Sequence, residues 1–196
     1  MALIICPGVH DELLSDRFIT VLQKALLAEE FVPGNQTEAC RVLPTQRYVP
    51  FDGLAVWSYV QAMAPPREPL FLIGFSAGVV GATAAANLWR GQGRRVAAMI
   101  AIDGWGVPQV GDFPFHRVSH DYFTHWSSAM LGAGLESFYA DPAVEHLDLW
   151  QFPDQTIGRQ LFTADMSAKS TQTTAIACIA QWLLHYGCHP KLHFSP

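Results

Sequence analysis

The run "PLFLIGFSAGVVGATAAANLWRGQG", residues 69–93, limits the fold of this chain more tightly than any other stretch. Its opening, "PLFLIGF", carries no charge and predicts a strand over 69–75 that is buried on both faces. Small residues follow at once and predict a helix that can pack very close to its neighbours, with Gly91 and Gly93 as stops. A strand covered on both faces needs helices on both sides of its sheet.

The flanking segments repeat the pattern. "LIIC" (3–6) is a short apolar run ended by Pro7-Gly8. The next segment, 11–30, sets Leu14, Phe18, Val21, Leu22, Ala25 and Leu26 at helical spacing. Asp11 and Glu12 stand in its first turn, where carboxylates suit the helix dipole. Strand 39–44, helix 52–64 and strand 95–102 complete a β–α–β–α–β–α–β alternation with short joints. Beyond Asp103 the pattern thins. A fifth strand is expected over 114–120, a helix over 122–131, a sixth strand over 136–140 and a closing helix over 173–186. The expected architecture is one three-layer α/β/α sandwich over 1–196, with a mainly parallel sheet of about six strands.

Composition excludes several classes of function. Half of the 196 residues are apolar, 15% are charged, and the net charge is -5. That offers no basic stripe for nucleic acid and no attraction to an anionic membrane. No apolar stretch approaches the roughly 20 residues of a membrane span. The opening "MALIICPGVHDE" lacks the basic start of a secretory signal. A cytoplasmic location is expected. Cys6, Cys40, Cys178 and Cys188 have no paired spacing and are expected as thiols, Cys6 and Cys40 in buried strands and Cys188 in an exposed late segment.

Ser76 stands between Gly74 and Gly78 at the carboxyl end of the third strand, the edge of an open α/β sheet where ligands bind. A serine nucleophile needs a sharp, strained strand-to-helix turn, and the two glycines leave room for it. The turn pushes the hydroxyl outward, and the Ala77 amide and the start of the helix then face the same point. The other reading of "GFSAG" is an ordinary tight turn. It is not a phosphate loop, since it lacks the Gly-Lys-Ser/Thr ending, and no cofactor motif is found.

With "GFSAG" after the third strand and "CPGVHD" after the first, the chain resembles the α/β-hydrolase family over most of its length. The resemblance implies a nucleophile elbow at Ser76 and an oxyanion loop at 6–11. The amides of Val9 and Ala77 would form the oxyanion hole, with His10 as the alternative to Val9. The family order of serine, acid, histidine puts both partners downstream. "ADPAVEHLDLWQFPDQTIG" is similar to the family's histidine loop, which makes His146 the candidate base. Asp121, after the fifth strand, is the candidate acid; Asp103, after the fourth, is its rival. His120 is a second candidate base.

Only "DGWGVPQVGDFP" separates the fourth strand from the fifth, so any cap is a short loop. Trp105 and Val107 on it, with His10 and Trp126, are candidates for the pocket wall. The implied reaction is hydrolysis of a small-molecule carboxylic ester or thioester through an acyl-enzyme. Two alternatives stay open. One is a non-catalytic binding protein of the same fold. The other is a metal-assisted hydrolase using "HRVSHDYFTH", although the spacing of His116, His120 and His125 fits no single helical zinc signature.

Overall fold

The computed structural model describes residues 1–28, 38–162, 170–188 and 192–195. All its strands join one sheet. In chain order the elements are β1 (Ala2–Cys6), α1 (Glu12–Ala28), β2 (Glu38–Val42), α2 (Gly53–Met63), β3 (Leu70–Phe75), α3 (Gly78–Gly91) and β4 (Val96–Ile102). There follow β5 (Phe115–Ser119), α4 (Tyr122–Ala129), β6 (Glu136–Ala140), α5 (His146–Gln151), β7 (Ile157–Phe162), β8 (Ser170–Thr174), α6 (Ala175–His185) and β9 (Leu192–Ser195).

The sheet order is β8-β7-β6-β5-β4-β3-β1-β2-β9. The pairs from β9 through to β6 are parallel, and β6–β7 and β7–β8 are antiparallel. The three-layer α/β sandwich is as expected, and the six strands read from the sequence all form. The sheet is larger than expected by β7, β8 and β9. The expected first helix runs to Ala28; residues 29 and 30 lie outside the described residues.

Strand pleating divides the core in two. Successive side chains of a strand point to opposite faces. Leu3 and Ile5 of β1 and Phe71, Ile73 and Phe75 of β3 pack with α1 and α6. Ala2, Ile4 and Cys6, with Leu70 and Leu72, pack with α2 and α3 on the other face. Every residue of β3 is fully buried, which is why the strand tolerates no charge. Each large side chain buried this way contributes about 1.5–3 kcal/mol. Cys188 is also buried, contrary to the exposure expected of it: the chain turns at Gly187 (φ 88°), and Cys188 packs back onto the first core cluster.

Asp52 caps α2, accepting from the amides of Leu54 and Ala55. Asp121 does the same for α4, with Oδ1 2.6 Å from the Thr124 amide. Among the described residues no helix is long and apolar enough to cross a membrane.

Candidate active site

Two backbone positions stand out at the carboxyl edge. Ser76 (φ 51°) and Asp103 (φ 49°) are the non-glycine residues with positive φ among those described. They follow directly on the neighbouring strands β3 and β4. An L-residue in this region carries strain of order 1 kcal/mol or more, and it persists only where surrounding contacts enforce it. The Ser76 amide donates to the Ile102 carbonyl at 2.9 Å, and the Asp103 amide donates to the Val118 carbonyl at 2.8 Å. Each strained residue is therefore tied to the next strand along.

The turn at Ser76 is made possible by close backbone approach. A Cβ on Gly78 would lie 2.1 Å from the Cys6 carbonyl oxygen and 2.5 Å from that of Pro7. A Cβ on Gly8 would lie 3.0 Å from the Ser76 Cβ. The loop after β1 thus runs directly against the serine and the start of α3. Val9, the next residue of that loop, is exposed.

A pocket of about 530 Å³ opens over this edge. Ser76, Ala77, Asp103, His120, Asp121 and His146 line it, together with Trp105, Val107 and Phe123. Ser76 and His146 are thus brought together. So are Trp105 and Val107 on the short loop after β4. Trp105 is two-thirds exposed and is held by its indole N–H, which donates to Ser127 Oγ at 3.1 Å.

Of the two candidate acids, Asp121 has its carboxylate engaged as the α4 cap, and Asp103 is the one bonded to His146. Its Oδ2 accepts from Nδ1 of His146 at 2.8 Å and from Nδ1 of His120 at 2.8 Å, while Oδ1 accepts from the His120 amide at 2.9 Å. A carboxylate can only accept, so both imidazoles carry their proton on Nδ1 and turn Nε2 away from Asp103. The second nitrogen of His120 lies 3.6 Å from Asp121 Oδ2.

These contacts set the electrostatics. Burial works to raise the Asp103 carboxyl, but the hydrogen bonds from His120 and His146 outweigh it, and the group lies below its ordinary value. His120 is raised, first by its hydrogen bond to Asp103, against burial, and further by the charges of Asp103, Asp121 and Glu145.

His146 is seated by an aromatic column. It is the first residue of α5, and Trp150 is four places on, so both present the same helix face. The Phe75 ring stacks on both, with centroids 4.7 Å from each. Trp150 in turn stacks on Phe18 of α1 at 3.8 Å. The residue preceding Ser76 therefore grips the histidine across from it.

Two expected wall residues lie elsewhere. Trp126 is not among the residues lining this pocket: the phase of α4 brings Phe123 and Thr124 to it and leaves Trp126 exposed, packed on Phe123. His10 lines a different and larger cavity of about 680 Å³, with Tyr48 and Tyr59. Its Nε2 lies 3.1 Å from Ser15 Oγ, and its ring meets Phe75 and Trp150 edge-on. Burial, and then the charge of His146, lower its pKa. The smaller cavity, not the larger, holds the candidate chemistry.

The three-histidine cluster of the sequence divides. His116 stacks on Trp182 and sits 3.0 Å from the Tyr186 hydroxyl, with burial pushing it down to about 4. His125 stacks on Tyr139. Only His120 turns to the site. Asp103, His120 and His146 do set one donor atom each within 4.8 Å of one another, a set that could take a divalent transition metal.

No family model matches the chain, and no curated protein matches it. Among solved structures it is similar to YbtT, a type II thioesterase from a yersiniabactin NRPS/PKS biosynthetic pathway, with a TM-score of 0.46 and 14% identity over 76% of this chain and 87% of that one.

Proposed function

We propose that this chain is a serine hydrolase of small carboxylic esters or thioesters, with Ser76 as nucleophile, His146 as base and Asp103 as the acid that orients it. The observation that carries the reading is the convergence at one pocket of a strained Ser76 and a His146 whose Nδ1–H is bound to a buried carboxylate. The proton on Nδ1 leaves Nε2 of His146 with a free lone pair, the form a general base requires.

In the reaction, Ser76 Oγ attacks the carbonyl carbon and its proton passes to His146 Nε2. The negative oxygen of the tetrahedral intermediate is met by backbone amides, those of Ala77 and Val9 in this reading, and by the N-terminus of α3. The imidazolium returns its proton to the departing alcohol or thiol. Water then attacks the acyl-serine by the same route and releases the acid. Trp105, Val107 and Phe123 supply apolar contact for the acyl group.

A fluorophosphonate probe tests this. It labels the wild-type protein, Ser76→Ala abolishes the labelling, and p-nitrophenyl acetate is hydrolysed by the first protein only. Folded wild-type protein that neither labels nor hydrolyses would overturn the reading and leave a binding role for the pocket.

A second reading is favoured by the donor set of Asp103, His120 and His146, which suits a metal-bound water. It predicts hydrolysis that a chelator removes and zinc restores, with no probe labelling. Chelator-resistant hydrolysis in metal-free protein excludes it.

A further inference from the structure

A serine–histidine–acid arrangement needs one imidazole on its carboxylate, and Asp103 holds two. His146 has a role in the serine hydrolase reading, on which this inference rests; His120 has none there. His120 holds both oxygens of Asp103, by its ring Nδ1 at 2.8 Å and its backbone amide at 2.9 Å. Its Nε2 faces Asp121 Oδ2 at 3.6 Å. Its carbonyl accepts from the Val144 amide at 3.0 Å, which ties it to the segment that delivers His146.

We infer that His120 is a positioning residue: clamped between Asp103 and Asp121, it fixes the carboxylate that orients His146 and anchors the segment on which His146 stands. The need is physical. Asp103 is 5% exposed and sits at positive φ, so its carboxylate must be held from several sides to keep one orientation. His146 alone supplies one contact to one oxygen. His120 supplies the others.

The test compares wild type, His120→Asn and His120→Phe in kcat and KM with p-nitrophenyl acetate. Asparagine keeps an N–H near the place of Nδ1–H. His120→Phe is expected to lower kcat by about ten- to a hundredfold with KM changed less than about twofold. His120→Asn is expected to recover most of that loss. His120→Ala takes its place if the phenylalanine variant does not fold, with the same loss of kcat at little-changed KM. Wild-type kcat in all the folded variants, or no recovery in His120→Asn, would overturn the inference. A wild-type protein that does not label at Ser76 fails the serine reading and takes this inference with it, which is a distinct result.

Discussion

The carboxylate of Asp103 and the imidazole of His146 are joined at 2.8 Å, Oδ2 to Nδ1, although the two residues lie on different elements and far apart in the chain. This bond separates the two candidate acids. Asp103→Asn replaces an acceptor by a group that can donate, and the wrong tautomer of His146 follows. A fall in kcat of about 10³- to 10⁴-fold is expected, with KM little changed. Asp121→Asn removes a charge but keeps a capping oxygen, and its effect on kcat is much smaller. Steady-state kinetics of the two variants decide between them.

Gly78→Ala tests the close approach beneath the serine. The added Cβ meets two backbone carbonyl oxygens, which no rotamer change relieves. A loss of about 3 kcal/mol or more is expected, seen as a fall in Tm of roughly 6–12 °C. Probe labelling of Ser76 falls with it, because β1, its loop and α3 have to separate.

Stability is expected to depend on pH through Asp103. Its carboxyl lies below the ordinary value of 3.8 in the folded protein, so its contribution is present above that value and is lost as pH falls through the lower folded one. His120 works in the opposite sense. Its folded value lies above 6.5, so its contribution is complete below 6.5 and is lost as pH rises through the higher folded value. Urea unfolding across pH checks this. The difference between wild type and Asp103→Asn shrinks on the acid side, and that between wild type and His120→Phe shrinks on the alkaline side.

Trp105 and Phe123 stand at the mouth of the pocket, both about two-thirds exposed. Exposed aromatic rings beside a reaction site gain from covering an apolar substrate. Trp105→Ala and Phe123→Ala are each expected to lower kcat/KM several-fold for long-chain p-nitrophenyl esters and to leave the acetate nearly unchanged. A chain-length series measures it. Equal losses on all chain lengths would mean the rings shape the site rather than bind the acyl group.

The first half of the fold was readable because its central strands are fully buried and therefore uncharged, and its helices carry one regular apolar face. The later strands were not. β7, "IGRQLF", alternates exposed and buried residues and carries Arg159, and β8, "STQTT", has no apolar residue at all. Both sit at the antiparallel edge, where pairing rather than side-chain burial defines the strand. At the site, the strained turn at Ser76 was legible from its two flanking glycines. Asp121 was favoured as the acid because a helix-capping aspartate and a catalytic one look alike in a sequence. The two hydrogen bonds that Asp103 accepts from the rings of His120 and His146 exist only once β4, β5 and α5 have met. Phe123 was hidden by the phase of a short helix, which sequence spacing fixes only to within a residue.

The stack of Phe18, Trp150, Phe75 and His146 passes from the middle of the first helix to the edge of the pocket without a break. Its inner members belong to the packed core, and its outer member is the ring on which the proposed chemistry turns. Repacking that side of the molecule for heat resistance would therefore retune turnover as well. A designer, or natural selection, has no independent dial for the two properties along this line of rings.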